Sequence, residues 1–133
     1  MAEKILEVNN LAISINNNKL LEDINFSLNA AESLAIVGES GAGKSLIARA
    51  IMRLNDEANF KYLSGSEIKY NKENILDFKE RKLQDLRGGK ISMIFQETLS
   101  SLNPLHDIRR QIAEMLEHHT ELSRSARKDK VSK

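Results

Sequence analysis

Gly38-Glu39-Ser40-Gly41-Ala42-Gly43-Lys44-Ser45 is the stretch that decides the fold, because it matches G-x-x-x-x-G-K-S/T, the pattern of a phosphate-binding loop. Glycine lets backbone N–H groups turn inward around a polyphosphate, since it adopts left-handed dihedral angles and carries no side chain. Lys44 supplies a cation for the β- and γ-phosphates, and the Ser45 hydroxyl is a ligand for Mg²⁺. The pattern therefore predicts that the phosphates are held by Gly38, Ser40, Gly41, Ala42, Gly43, Lys44 and Ser45.

The residues on either side of the loop have the patterns that such a motif requires. Ser33-Leu34-Ala35-Ile36-Val37 precedes it and is typical of a short apolar strand. The residues 46–54 that follow it predict a helix, whose positive N-terminal end would point at the bound phosphates. Strand, glycine loop and helix in this order disfavour the alternative of a glycine turn without a ligand. One apolar face of the predicted helix is formed by Ile47, Ala50, Ile51 and Leu54.

The composition sets bounds on the class of protein. The 133 residues suffice for one small domain, and no apolar run reaches the length of a membrane span. The charged start of the chain, residues 1–4, does not match a signal peptide. The absence of cysteine excludes disulfides and cysteine-based zinc sites, and is compatible with a reducing cytoplasm. A net charge of +1 indicates no particular partner and disfavours nucleic-acid binding.

The chain before the loop has the pattern of an antiparallel sheet. Residues 5–15 are rich in apolar side chains with partial alternation, and Asn16-Asn17-Asn18 is a turn signal because asparagine tolerates left-handed dihedral angles. Ile24, Phe26 and Leu28 alternate with polar residues, as in a half-buried strand.

After the loop the pattern predicts shorter elements. Residues 55–61 are polar and predict a loop, Ile68 and Tyr70 mark a strand, and residues 79–86 predict a helix that Gly88-Gly89 ends. Residues 91–95 form a continuous apolar strand, typical of burial on both faces, with Gln96 at its carboxyl end, where ligand-facing residues lie in open α/β sheets.

The last third of the sequence predicts two helices. Asp107 is the expected cap of a helix with an apolar stripe, and Ser123 is the expected cap of a further helix. Met93 and Met115 are interpreted as core residues. The stripe of the first of these helices consists of Ile108, Ile112, Met115 and Leu116.

Taken together, three segments resemble one family. The phosphate loop, the run Ile91-Ser92-Met93-Ile94-Phe95-Gln96-Glu97 and the run Ser101-Leu102-Asn103-Pro104 resemble the ATP-binding cassette subunits of bacterial ABC importers. The likeness covers nearly the whole chain and is closest to the oligopeptide, dipeptide and nickel group. Within that group, Tyr62-Leu63-Ser64-Gly65 and the run from Ser101 to His106 look most like the peptide and microcin-type importers.

The resemblance implies an α/β fold of the P-loop NTPase type, with ATP and Mg²⁺ as cofactors. It implies an antiparallel β layer in 1–32, a P-loop core in 33–96 and the start of a helical subdomain in 97–133. By the same resemblance Gln96 reaches Mg²⁺, together with Ser45, and senses the γ-phosphate and the attacking water. Residues 97–119 would face the transmembrane permease, and a second nucleotide-binding domain would be a further partner. The implied location is cytoplasmic, peripheral to the inner face of the cell membrane.

Two positions depart from the family pattern. The family usually has an aromatic residue that stacks on adenine where this chain has Ile15, and the loss of that stacking costs roughly 1–3 kcal/mol. The family also usually has a glycine where this chain has Ala31. If the turn there needs a positive φ, alanine is strained.

Several family motifs do not follow Gln96. The 133 residues hold no apolar run ending in Asp-Glu, no switch histidine and no Leu-Ser-Gly-Gly-Gln signature; Leu63-Ser64-Gly65-Ser66 imitates the signature but is interpreted as a turn. We therefore expect the front half of a cassette, which does not hydrolyse ATP alone. One alternative is a non-catalytic remnant that binds nucleotide or permease. Another is a different P-loop NTPase or small-molecule kinase, which the segment 101–104 disfavours.

The remaining polar features favour structural explanations. Metal binding by His106, His118 and His119 is disfavoured, because adjacent histidines on a helix point about 100° apart. Glu39 is expected in solvent, since a carboxylate would repel polyphosphate, and Glu97 faces either the permease or water. The basic tail favours a solvated helical face over a surface for nucleic acid or anionic lipid. Its charged residues are Arg124, Arg127, Lys128, Lys130 and Lys133, with Asp129 opposing them.

Overall fold

The computed structural model describes residues 3–55, 58–96 and 102–131. It divides into two compact units, Met1–Leu83 and Gln84–Lys133, and each is described by itself. The predicted boundaries after residues 32 and 96 stay predictions. The elements are β1 (Lys4–Ile15), β2 (Asn18–Asn29), α1 (Lys44–Ile51), β3 (Phe60–Tyr62), β4 (Glu67–Tyr70), β5 (Glu73–Asn74), a 3₁₀ turn (Ile75–Asp77), α2 (Glu80–Leu86), α3 (Ile108–His119) and α4 (Arg124–Val131).

The first unit is built on an antiparallel sheet with β1 at its centre. The strand order is β2-β1-β4-β5, and β3 also pairs with β1. Asn16 and Asn17 both have positive φ, 50° and 65°, and so form the two-residue turn between β1 and β2. The predicted strands at both ends of this turn are confirmed, as is the strand at Ile68 and Tyr70. The buried apolar residues of this unit are Val8, Leu11, Ile13, Leu21, Ile47, Ala50, Met52, Phe60, Ile68, Ile75 and Leu83.

One of the four register shifts in the β1–β2 hairpin decides which side chains of β1 enter the core. The pairing passes from Val8↔Phe26 to Leu11↔Ile24, so β1 holds one extra residue there. Asn10 marks this bulge with φ 47°, and its N–H donates to Asn25 Oδ1 at 2.8 Å. Because a bulge reverses the alternation of faces, Val8 and Leu11 are both buried although they are three residues apart.

The predicted strands at 33–37 and 91–95 are not formed. Residues 33–37 have no strand pairing in the part of the chain that the structure describes, and the Val37 side chain is 88% exposed. Ile91 makes one isolated parallel bridge to Arg87, and Ile94, which was expected to be buried, is 90% exposed. The physical reason is that a strand requires the backbone of a partner to satisfy its N–H and C=O groups.

The helix after the phosphate loop is shorter than the predicted 46–54. It ends at Ile51, and the chain turns at Arg53, which has φ 49°. Leu54 therefore lies outside the helix and is exposed. The prediction of a loop at 55–61 is wrong for Phe60 and Lys61, which belong to β3. They form a strand because they pair with β1, although the residues around them are polar.

Residues around α2 match the prediction. Leu83 and Leu86 are buried, and the helix ends at Leu86 before the two glycines. Gly88 has φ 78°, and a Cβ on Gly89 would lie 2.6 Å from the carbonyl oxygen of Asp85. Both positions therefore require glycine, which explains the sharp end of the helix.

Both predicted caps in the second unit are confirmed. Asp107 Oδ1 accepts from the Arg110 N–H at 2.7 Å, and Ser123 Oγ accepts from the Ala126 N–H at 3.2 Å. The assignment of Met115 to the core is wrong, because its side chain is 56% exposed. Ile108 and Ile112 on the same stripe are exposed too, since burial needs a facing surface that sequence periodicity does not supply. Among the described residues, no helix is long and apolar enough to cross a membrane.

The turn before the phosphate loop contains the strained alanine that the sequence suggested. The Glu32 N–H donates to the carbonyl oxygen of Asn29 at 3.2 Å, which closes a four-residue turn, and Ala31 at its third position has φ 59°. Turns with a positive φ at this position prefer glycine. The conformational cost for an L-residue is roughly 1–2 kcal/mol.

We predict that Ala31→Gly raises the free energy of unfolding by about 1 kcal/mol. The relief of strain exceeds the roughly 0.4–1 kcal/mol that a glycine loses through its freer unfolded chain. Urea unfolding followed by circular dichroism measures the change. Ala30→Gly is the matched control, because Ala30 lies in the same turn without a positive φ, and it should lower stability. Equal effects of the two substitutions would contradict the assignment of strain to Ala31.

Candidate nucleotide-phosphate site

The predicted phosphate loop folds as a tight turn leading into a helix. The Ala42 N–H donates to the carbonyl oxygen of Glu39 at 3.2 Å, and Gly41 at the third position of that turn has φ 83°. Gly43 has φ 85° and is the N-cap of α1. Two glycines of the motif therefore adopt the left-handed dihedral angles for which the motif was expected to need glycine.

The start of α1 presents backbone donors without a built-in acceptor. The first bond of the helix runs from the Ile47 N–H to the carbonyl oxygen of Gly43 at 3.0 Å, so the N–H groups of Lys44, Ser45 and Leu46 have no acceptor within the helix. Gly43 offers no side-chain cap, and the first turn contains no acidic residue. The positive end of the helix is thus available to an anion.

The Lys44 ammonium lies over the loop. Its Nζ donates to the carbonyl oxygens of Gly38 at 2.8 Å and Glu39 at 2.5 Å. An ammonium has three donors, so one N–H is left over from these two bonds for a phosphate oxygen. The two loop carbonyls hold the ammonium on the loop without neutralising its charge.

The other predicted site residues have two distinct locations. Ser40, Ala42 and Ser45 are exposed or lie at the open mouth of the loop, and Glu39 is exposed, as expected. The donor set fits a polyphosphate, and the role of Ser45 toward Mg²⁺ stays a prediction. Gln96 belongs to the second unit, where it lies at an exposed bend. Its role toward Mg²⁺ and the γ-phosphate stays a prediction, and Glu97 and Ser101 lie outside the described residues.

Two residues that support the loop were missed at the sequence level. Leu21 packs behind Gly43, since a Cβ on Gly43 would lie 2.6 Å from Leu21 Cδ2. The Tyr62 hydroxyl donates to the carbonyl oxygen of Ala50 at 2.8 Å and ties α1 to β3. Leu21 is out of step with Ile24, Phe26 and Leu28, because a second irregularity near Asp23, with φ 51°, intervenes. The sequence signal for this irregularity was the pair Glu22-Asp23, which separates the apolar residues Leu21 and Ile24.

Comparison with known proteins identifies the family of the chain. Residues 21–133 match the ABC transporter family. The chain is 37% identical over 98% of its length to an uncharacterized ABC transporter ATP-binding protein, YejF, of Escherichia coli. It is 40% identical over 85% to a probable peptide ABC transporter ATP-binding protein of Sinorhizobium fredii and 40% identical over 92% to the dipeptide transport ATP-binding protein DppD of Lactococcus lactis. The chain spans 25%, 33% and 36% of these relatives.

We predict that Gly43→Ala destabilises the protein more than Gly65→Ala does. Both glycines have positive φ, 85° and 89°, but a Cβ on Gly65 meets nothing within 4 Å. Leu21 is buried and has little room to move away from a new methyl group at residue 43. We expect Gly43→Ala to cost about 1–3 kcal/mol more in unfolding free energy, measured by urea denaturation. The same loss in both variants would show that Leu21 does not press on the loop.

Proposed function

Because the chain belongs to the ABC transporter family, we propose that it is the nucleotide-binding portion of the ATP-binding subunit of a peptide importer. The observation that carries the proposal is the N-terminus of α1, which has no side-chain cap after a left-handed Gly43, together with the Lys44 ammonium that the loop carbonyls hold. The peptide class of cargo is supported by the names of two relatives, a probable peptide transporter subunit and a dipeptide transport subunit.

In the proposed mechanism the loop amides and the first turn of α1 bind the β- and γ-phosphates. Lys44 uses its remaining N–H to hold a phosphate oxygen, while its two bonds to the loop carbonyls fix its position. Ser45 directs a hydroxyl toward Mg²⁺, which when bound offsets charge on the phosphates. Gln96, by resemblance, responds to the γ-phosphate. These residues bind and orient the nucleotide.

The proposed partner is the permease of the importer, and the second unit carries the surface for it. Ile108, Ile112 and Met115 form an exposed apolar stripe along α3. Together with Leu102 and Gln111 this stripe lines a groove of about 560 Å³. An apolar stripe on an exposed helix is a feature of protein–protein contacts. Through the permease the subunit would lie at the inner face of the membrane, paired with a second nucleotide-binding domain.

Binding and turnover are separate parts of the proposal. The 133 residues hold no apolar run ending in Asp-Glu that would give Mg²⁺ a carboxylate and water a base. We therefore expect phosphate release from Mg·ATP by this chain to stay at the level of a protein-free blank. A colorimetric phosphate assay checks it, and turnover that disappears in a Lys44→Ala variant would contradict it.

We predict that Lys44→Ala weakens Mg·ATP binding by about 10–100-fold, measured by isothermal titration calorimetry. The substitution removes a charged hydrogen bond worth roughly 1.5–3 kcal/mol, together with the two bonds that brace the loop. Lys4→Ala is the matched control, since it removes one positive charge from the opposite end of β1. Its affinity for Mg·ATP should equal that of the unmodified chain. Unchanged affinity in Lys44→Ala would overturn the proposed site.

A further inference from the structure

The second unit contains a cavity, lined by α3 and α4, that the proposed function does not use. Its volume of about 750 Å³ lies in the range of cavities that bind small molecules. Ala113 and Glu117 are four residues apart and so lie on one face of α3, where the small Ala113 side chain leaves room above the helix. The wall of the cavity consists of Ala113, Glu117, Arg124, Ser125, Arg127 and Lys128.

Three of the four basic side chains of α4 belong to this wall. Arg124, Arg127 and Lys128 follow one another at spacings that place them on one face of the helix. Lys130, the fourth, does not line the cavity. The sequence pattern favoured a solvated face for this charge, because periodicity does not show that another helix lies beside it. The structure therefore concentrates the charge of α4 at the cavity.

The wall carries more positive than negative charge. Glu117 is the one carboxylate that the described residues contribute to it, against three cations. Glu117 Oε1 lies 3.4 Å from Arg127 Nη1, and the Arg127 side chain is only 19% exposed, so this ion pair holds the guanidinium at the wall. The excess of two positive charges is left on one helix face, where like charges repel one another. A concave wall of one sign also concentrates the electrostatic potential, so an anion in the cavity would be stabilised.

The donors of the wall are those that bind a phosphate group. A guanidinium presents parallel N–H groups to two phosphate oxygens, an ammonium adds a compact charge, and the Ser125 hydroxyl adds a neutral donor. We propose that this cavity binds a phosphate group, carried either by a small soluble molecule or by the headgroup of a phospholipid. The cavity belongs to the second unit and the phosphate loop to the first, so the two sites can be tested separately.

The first measurement is an NMR titration of the ¹⁵N-labelled 133-residue chain with glycerol 3-phosphate, in a Lys44→Ala background that removes the cation of the phosphate loop. We expect saturable shifts of the amides of Ser125, Arg127 and Lys128, with a dissociation constant of about 1 mM. Flotation with phosphatidylglycerol vesicles, against phosphatidylcholine vesicles, is the second measurement. Binding of glycerol 3-phosphate alone supports a soluble ligand, and selective binding of phosphatidylglycerol vesicles supports a headgroup. Binding of neither would overturn the proposal and leave the role of the phosphate loop untouched.

A pair of variants on α4 tests the location of the site. Lys128→Gln removes a cation from the wall, and we expect it to weaken phosphate binding about fivefold. Lys130→Gln is the matched control, because it removes the same charge from the same helix outside the wall, and it should weaken binding by less than about twofold. Circular dichroism shows whether both variants keep their helix content. Equal weakening by the two substitutions would show that the ligand responds to the general charge of α4, and would overturn the proposed cavity site.

Discussion

The left-handed backbone at Gly43 is the constraint on which the rest of the site depends. With φ 85° it turns the chain directly from the loop into α1, whose first three N–H groups have no acceptor within the helix. The close approach of Leu21 leaves no room for a side chain there. The contact between Gly43 and Leu21 thus brings the start of α1 against the hairpin, and the core behind it helps to fix the position of the loop.

The parts of the structure that depend on neighbouring residues could be predicted from the sequence. The loop, the Asn16–Asn17 turn and the caps at Asp107 and Ser123 each need only a few consecutive residues, and all are present. Neighbouring residues do not decide whether a strand forms at 33–37, because its hydrogen bonds must come from a partner backbone. Apolar content indicates the tendency to form a strand but not the presence of that partner.

The alternation of apolar and polar residues could not predict which side chains of the hairpin face the core. Asn10 and Asp23 each adopt a positive φ, and each marks a place where the register shifts by one residue. A shift of one residue exchanges the two faces of a strand, so Leu21 enters the core although the alternating set begins at Ile24. Asparagine and aspartate tolerate this backbone, yet the same residues also occur in ordinary turns. Only the pairing partner distinguishes the two cases.

Holding the phosphates and completing the chemistry make different demands on the fold. The loop amides, Lys44 and Ser45 lie within one short stretch, and their geometry is set by Leu21 and by the sheet behind it. Gln96 follows more than fifty residues later in a separately described unit, where it lies at an exposed bend. In the proposed site, phosphate binding depends on the loop, on the Lys44 ammonium and on the packing of Leu21 behind Gly43. The proposed role of Gln96, by contrast, depends on a residue that the loop does not position.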